Sequence, residues 1–129
     1  MRPGTQGCVV ESRLLHDPYT AQVVHFVKSS GGGVDVDHLV PLGHAWQAGA
    51  REWDEDRREQ FANDLDILQP TAASVNRSKG DAPIDAWLPP NKAHRCEYAT
   101  RWIEVKAEWT LTVTLAERAF IVDRLSRCA

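Results

Sequence analysis

The chain has 129 residues, of which 43% are hydrophobic and 26% charged, a composition typical of a water-soluble domain with one modest core. No apolar run approaches the roughly 18–20 residues that span a bilayer, and no signal peptide is visible, so we expect no membrane association. The net charge of −3 argues against a protein that wraps nucleic acid. Acidic residues are concentrated in residues 35–66, which carry nine acidic and three basic side chains. Basic residues follow in residues 67–106.

The first predicted elements are two β-rich runs, residues 8–15 and 21–28, which flank a turn at 16–20. They predict an N-terminal β-hairpin. Residues 29–33 are small and indicate a linker to the next element.

Residues 34–41 predict a short strand that Pro41 ends, because proline removes a ladder donor. Alternation brings Asp35 and Asp37 to one face of this strand. Asp37 and His38 are adjacent and therefore point to opposite sides of the backbone, one free to hold a cation and the other to handle a proton. Taken alone, such a pair is more typical of a capped turn.

An insertion follows, with a helix at residues 42–50 and a charged helix at 55–62 capped by Asp54. Residues 65–69 then predict a strand that returns to pair with residues 34–38. His38 and His44 suggest a zinc site, but six residues and a proline separate them, which is not the spacing of a helical ligand pair. Zinc is therefore a weak alternative.

The next segment predicts a short helix that Thr71 caps and Gly80 ends. This helix presents Asn76 and two cations, Arg77 and Lys79. An acid, a base, a neutral oxygen ligand and nearby cations are what phosphodiester hydrolysis with one hard metal ion requires.

The remaining chain predicts a helical hairpin over about residues 91–128. Asn91 caps a helix that runs to about residue 109, and Thr114 with Glu117 forms a capping box for the last helix. The five tryptophans of the chain are more typical of core than of base-stacking platforms, although the second interpretation stays open.

These motifs, taken in order, resemble the HNH (ββα-metal, His-Me finger) endonucleases. Within them, the chain is similar to the group related to the C-terminal nuclease domain of GmrSD-type modification-dependent restriction enzymes and to exported bacterial HNH nucleases. The resemblance covers nearly the whole chain. The segments that carry it are Asp17-Pro18-Tyr19-Thr20, Asp37-His38-Leu39-Val40-Pro41-Leu42, Ala45-Trp46, Gly49-Ala50, Phe61-Ala62-Asn63-Asp64, Asn76-Arg77-Ser78-Lys79-Gly80, Trp87-Leu88-Pro89-Pro90, Arg95-Cys96-Glu97-Tyr98 and Val105-Lys106.

The resemblance implies an α+β fold, in which a ββα-metal finger at about residues 34–80 lies between the N-terminal hairpin and the helical hairpin. It also implies one endonuclease domain over residues 1–129. The family has a hairpin-positioning asparagine; here Asp66 takes that register, with Asn63 nearby. An upstream domain or segment is a further possibility for the full-length protein.

The resemblance also assigns chemical roles. His38 is the general base that activates water, and Asp37 and Asn76 bind one divalent cation. Mg²⁺ suits this oxygen set, Mn²⁺ is an alternative, and Zn²⁺ fits less well. Lys79 is a second catalytic candidate. Phosphate contacts are assigned to a basic set that comprises Arg77, Lys79, Arg95 and Lys106.

The function these roles imply is hydrolysis of DNA by a monomeric endonuclease with little sequence preference, with RNA as an alternative substrate. A second hypothesis is a non-catalytic module that binds nucleic acid or a partner and keeps the finger as a scaffold.

The three cysteines leave one odd thiol. Cys96 and Cys128 lie at equal distances from the turn of the helical hairpin, so antiparallel packing predicts a bridge between them, with Cys8 free. The alternative is two buried thiols. The bridge would indicate a bacterial secreted or effector domain, and reduced thiols a cytoplasmic one.

Overall fold

The computed structural model describes residues 12–27 and 33–128. Two small antiparallel hairpins and five α-helices make the fold α+β, which confirms the predicted fold class. The predictions for Cys8, residues 9–11 and residues 28–32 lie outside the described residues.

The N-terminal hairpin consists of β1 (Ser12–Asp17) and β2 (Gln22–Val27), which pair antiparallel with Asp17 opposite Gln22. The prediction of a turn at residues 16–20 was wrong at its first two positions, since His16 and Asp17 belong to β1. The Asp17 carboxylate accepts hydrogen bonds from the Tyr19 amide and the Thr20 hydroxyl, so the turn closes after Asp17.

The second hairpin pairs β3 (Val34–His38) with β4 (Leu68–Ala72), antiparallel as predicted. Strand β3 begins at Val34 as predicted and its segment 34–38 pairs as predicted, but the strand ends at His38, before Pro41. The bounds predicted for β4 were wrong by three residues. The Asp64 side chain accepts a bond from the Asp66 amide and starts a 3₁₀ turn over Leu65–Ile67, which delays the strand. Pro70 therefore lies within β4, where it is exposed.

Helix α3 (Ala73–Lys79) follows β4 directly and packs against both strands of this hairpin. The prediction that Thr71 caps the helix was wrong. Thr71 is a buried residue of β4 whose hydroxyl donates to the Asp17 carboxylate, and the helix begins after Ala72 without a side-chain cap. Gly80 ends α3 with a φ of +53°, a conformation that glycine adopts readily.

Between β3 and β4 lie α1 (Leu42–Gln47), a 3₁₀ turn at Ala50–Glu52 and α2 (Glu55–Ala62). Helix α1 is shorter than the predicted 42–50, because Gly49 adopts a φ of +135° that no helix can continue. The α2 prediction is confirmed, including the Asp54 cap, which accepts from the Arg57 amide.

The C-terminal helical hairpin consists of α4 (Arg95–Glu108) and α5 (Leu115–Ser126), which pack against each other. Asn91 caps a 3₁₀ turn at Lys92–His94 that leads into α4. The Thr114 capping box at the start of α5 is confirmed.

A disulfide joins Cys96 at the start of α4 to Cys128 just after α5, the pairing that the equal arms of the hairpin predicted.

One core cluster draws residues from the first hairpin, the finger and the helical hairpin, with Tyr19, Leu39, Phe61, Trp102 and Ile121 among its members. Trp102 is buried, and Trp53, Trp87 and Trp109 pack against the core. Trp46 is 45% exposed and is the exception to the core interpretation of the tryptophans. Within residues 12–27 and 33–128, no helix combines the length and the apolar character needed to cross a membrane.

Candidate active site

A pocket of about 280 Å³ opens where β3 ends and α3 passes beside it. Its walls include Asp37, His38 and Asn76, three side chains that the sequence predicts to act together. Their convergence is a consequence of the ββα arrangement, because α3 packs on β3 and turns Asn76 toward the strand end.

His38 is held by a contact that the sequence did not predict. Its Nε2 lies 2.9 Å from the carbonyl oxygen of Ala62, the last residue of α2. Since a carbonyl only accepts, Nε2 must carry the proton, and in a neutral ring Nδ1 is then an unprotonated acceptor. The contact therefore fixes both the orientation and the tautomer of the imidazole.

Asp37 is 3% exposed and accepts two hydrogen bonds through the same oxygen, Oδ2. The Tyr19 hydroxyl donates at 2.8 Å and the Lys79 ammonium donates at 2.7 Å. The other oxygen, Oδ1, is the one that the side chain still offers to a ligand in the pocket. Burial and the Asp37 charge raise the pKa of Tyr19, which keeps its hydroxyl a donor.

Lys79 is buried, with a side chain that has no exposed surface. Its ammonium donates to Asp37 and to the backbone carbonyls of His38 and Leu39, which uses all three of its protons. Burial lowers its pKa to about 8, against the opposing effect of the Asp37 carboxylate. The prediction that Lys79 contacts phosphate is wrong, because the ammonium is buried and all its protons are used within the protein. Lys79 instead positions the Asp37 carboxylate.

Asn76 is oriented by a second carboxylate, Asp35. The Asn76 amide nitrogen donates to Asp35 Oδ2 at 3.0 Å, so the amide oxygen is left as its acceptor atom. Asp35 and Asp37 both face α3, as the alternation of β3 predicted. Asp35 thereby selects the side of the Asn76 amide that can bind a cation.

The donors present fit a hard divalent cation that keeps most of its ligands as water or substrate oxygens. Asp37 supplies one carboxylate oxygen and Asn76 one amide oxygen to the same pocket. Among the described residues, no group of three or more His, Cys, Asp or Glu side chains could hold a metal ion. Asp37 and Asn76 therefore offer oxygen ligands, the kind that hard divalent cations prefer.

His44 does not join His38 in a zinc site. Its Nε2 lies 2.7 Å from the Lys106 ammonium, and its ring packs against Trp102. Lys106 is 1% exposed and also donates to Thr112 and Glu117. The prediction that it contacts phosphate is therefore wrong, because its ammonium, like that of Lys79, is buried and hydrogen-bonded within the protein.

The other predicted phosphate contacts lie in different surroundings. Arg77 is exposed on α3, one residue after Asn76. Arg95 is half-buried at the start of α4, where its Nε donates to the Pro89 carbonyl at 2.8 Å. Only Arg77 of the predicted set is therefore both exposed and next to a residue of the pocket.

The residues predicted to position the hairpin do not do so through their side chains. Asn63 is exposed and donates to Glu59 within its own helix end, and the Asp66 side chain is exposed. Asp64 ties this loop instead, since its carboxylate accepts from the Asp66 amide and from the Trp109 indole. The Asp66 carbonyl accepts from Arg101.

Several residues of the site were absent from the sequence prediction. Asp17 is 1% exposed and anchors β4 by accepting from the Thr71 hydroxyl and the Ala72 amide. Tyr19 reaches Asp37 from the same turn. Their motif carried part of the family resemblance, but nothing in the spacing showed that it meets β3.

Comparison with known proteins identifies the family of this chain. Residues 2–124 match the family model for the C-terminal domain of GmrSD restriction endonucleases. An uncharacterized secreted protein of Arthroderma benhamiae is 40% identical over 102 residues, which cover 78% of this chain and 50% of that protein. The chain thus spans about half the length of this curated relative. No solved structure matches the chain significantly. Because the family model covers nearly all of the sequence, the chain belongs to the family of GmrSD restriction endonuclease C-terminal domains, a nuclease-related family.

Proposed function

We propose that this protein is a metal-dependent endonuclease that hydrolyses phosphodiester bonds in DNA. The observation that carries the proposal is the His38–Ala62 contact, which leaves an unprotonated ring nitrogen in the same pocket as Asp37 and Asn76. A base and an oxygen-rich cation site side by side are the minimum for metal-assisted phosphodiester hydrolysis.

His38 acts as the general base. Nδ1 accepts a proton from the attacking water, and the resulting imidazolium is stabilised because Nε2–H already donates to the Ala62 carbonyl.

Asp37 and Asn76 would hold the cation, because Asp37 Oδ1 and the Asn76 amide oxygen are the acceptor atoms that these side chains still offer. A bound Mg²⁺, or alternatively Mn²⁺, would stabilise the negative charge that grows on the phosphate and on the leaving oxygen. Tyr19 and Lys79 keep the Asp37 carboxylate in one orientation, and Asp35 does the same for Asn76.

Arg77 supplies the contact to a phosphate next to the cut site, because it is exposed and follows Asn76 on α3. Low sequence preference and monomeric action stay part of the proposal. RNA is the alternative substrate, since the chemistry at the phosphate is the same.

The disulfide supports function in an oxidising compartment, and the similar protein of A. benhamiae is named as secreted. We therefore propose that this protein acts outside the cytoplasm. Thiol titration in denaturant without reductant should find one reactive thiol, that of Cys8. Three thiols would refute the bridge and favour the cytoplasmic assignment.

The activity is tested by incubating the protein with supercoiled plasmid in Mg²⁺ and in EDTA. Nicking in Mg²⁺ that EDTA abolishes is the expected result. Asn76→Ala should lose the activity, whereas Asn63→Ala, which removes an exposed amide outside the pocket, should retain it. Absence of cleavage in both Mg²⁺ and Mn²⁺ would refute the proposal.

A further inference from the structure

A second, largely apolar pocket of about 340 Å³ lies between α1 and α2. Its walls include Leu42, Trp46, Trp53, Arg58, Phe61 and Ala62. Leu42 and Trp46 are each 45% exposed, an unusual amount for large apolar side chains beside a cavity. The size is at the lower end of pockets that bind small molecules, about the room that one flat aromatic ligand needs.

This apolar pocket adjoins the candidate active site. Leu42 contributes to the walls of both pockets, and Ala62, which lines the apolar one, accepts the His38 hydrogen bond. A ligand in the apolar pocket would therefore lie one side chain away from the catalytic base. Because a nucleotide carries its base next to its phosphate, a base beside the bound phosphate is within reach of this pocket.

The aromatic wall of the pocket is fixed in place. The Arg58 guanidinium lies 5.3 Å from the centre of the Trp46 ring and donates to the carbonyls of Ala50 and Trp53. The Trp53 ring in turn packs against Phe61 at 5.6 Å. An exposed indole held in one orientation is the kind of surface on which a nucleobase stacks with little loss of entropy.

The charges around this pocket favour a base over a phosphate. Glu55 and Glu59, both exposed, also line it and would repel a phosphate group. Arg58 already donates hydrogen bonds to two backbone carbonyls, which leaves fewer of its N–H groups for a phosphate. Carboxylates at the rim can instead accept hydrogen bonds from the exocyclic amino group of a base.

We propose that the pocket between α1 and α2 binds one unpaired nucleobase of the substrate strand, stacked on Trp46, next to the phosphate that is cut. The proposal rests on the proposed nuclease function and narrows its substrate class. A base within a duplex is stacked and paired, so it must leave the helix to enter the pocket. The preferred substrate is therefore single-stranded nucleic acid, or a duplex with an unpaired base at the cut site.

The first test uses the wild-type protein and a single-stranded DNA octamer in which each base in turn is replaced by an abasic site. Binding is measured in EDTA by fluorescence anisotropy, and the cut site is mapped in Mg²⁺ with the intact octamer. Loss of affinity at one position next to the mapped cut is expected, by roughly 5- to 150-fold as for single stacked bases. Equal affinity for all abasic octamers would overturn the proposal.

The second test is a double-mutant cycle. Trp46→Ala should weaken binding of the intact octamer by a similar factor. In this variant, an abasic site at the sensitive position should cause no further loss of affinity. Trp46→Phe keeps a stacking ring and should restore most of the affinity and the coupling. Leu115→Ala, which truncates an 86%-exposed side chain at the start of α5, should change neither.

The outcomes separate this inference from the proposed function. Cleavage in Mg²⁺, with additive effects of Trp46→Ala and the abasic site, would keep the nuclease and refute the base pocket. Coupling between them in EDTA without cleavage in Mg²⁺ or Mn²⁺ would support base binding and refute the nuclease. The abasic scan needs no variant, so it decides the question even if Trp46→Ala does not fold.

Discussion

Two lysines of this protein are buried against carboxylates, and the two pairs resemble each other closely. Lys79 lies 2.7 Å from Asp37 beneath the candidate active site, and Lys106 lies 2.8 Å from Glu117 within the helical hairpin region. Each ammonium also donates to backbone carbonyls, and burial lowers the pKa of each. Burial, charge and pKa direction do not distinguish the pairs.

What differs is the use of the carboxylate oxygens. Glu117 Oε1 accepts from the Thr114 amide and from Lys106, and Oε2 accepts from the Trp102 indole. In Asp37, by contrast, Oδ2 accepts the hydrogen bonds from both Tyr19 and Lys79, and the side chain lines a pocket. An oxygen left for a ligand separates a candidate functional pair from one whose oxygens both serve the fold.

Two of the five histidines, His38 and His44, repeat this contrast. His38 donates from one ring nitrogen to a backbone carbonyl and keeps the other for the pocket. His44 Nε2 contacts Lys106, and its ring packs on Trp102. We therefore expect substitutions around His38 to affect chemistry and substitutions around His44 to affect stability.

The largest effect is expected from His38→Ala. Loss of the general base should lower the rate of plasmid nicking by ~10²–10⁴-fold or more, with the melting temperature and DNA binding nearly unchanged. His44→Ala is the matched variant, and it should destabilise the fold while the folded protein still cleaves. Nicking by His38→Ala at the wild-type rate would refute the assignment.

Glu117→Ala should cost about 3–5 kcal/mol of unfolding free energy, because it leaves the Lys106 charge buried without its partner. Urea unfolding at pH 7 measures the change. Nicking per folded molecule should remain normal, since Glu117 does not line the active-site pocket.

Glu104→Ala removes an exposed acid from the same helix as Lys106 and should change stability by less than about 0.5 kcal/mol. If Glu117→Ala changed the unfolding free energy by as little, the Lys106–Glu117 ion pair would not stabilise the fold.

Asp35→Ala tests the orientation of Asn76. Without its hydrogen bond to Asp35, the amide can rotate, and outer residues of this kind typically affect metal affinity by about 10- to 100-fold. Mn²⁺ affinity, measured by electron paramagnetic resonance, reports this without requiring turnover. Asp66→Ala, which removes an exposed carboxylate, is the control. Unchanged Mn²⁺ affinity in Asp35→Ala would show that Asp35 does not position Asn76.

The sequence predicted best those features that depend on neighbouring residues. The Asp54 and Thr114 caps, the start of β3 and the Cys96–Cys128 pairing all follow from signals within one element or one helical hairpin. The bounds of β4 were wrong because the Asp64 turn competed with strand pairing, and propensity does not show which of the two prevails.

The sequence could not reveal which cations are buried. The family resemblance assigned Lys79 and Lys106 to phosphate contacts, and lysine is almost never fully buried unless it is paired. Their burial depends on partners from other elements: Asp37 is 42 residues away from Lys79, and Glu117 belongs to the facing helix. The Ala62 carbonyl that fixes His38 is a backbone atom, which no side-chain pattern can indicate.

The smallest expected effect is the contribution of Glu117 to the pH dependence of stability. Burial would raise the pKa of Glu117, but interactions with His44, Lys106, Thr114 and Trp102 outweigh it and hold the pKa below the ordinary 4.5. Below pH 4.5 the unfolded chain therefore takes up a proton at this position that the folded protein does not. The stabilisation is complete above pH 4.5 and declines as the pH falls, by at most about 1.4 kcal/mol per pH unit.

Glu117→Gln removes this ionisation while keeping a side chain of similar size. Unfolding free energies at pH 5.5, 4.5 and 3.5 should fall more steeply for the wild type than for Glu117→Gln, so that the gap between the two proteins narrows as the pH falls. Glu104→Gln should follow the slope of the wild type. Parallel slopes for the wild type and Glu117→Gln would mean that Glu117 has the same pKa in the folded and the unfolded protein. The contrast between Glu117 and Asp37 would then rest only on the hydrogen bonds that their carboxylate oxygens accept.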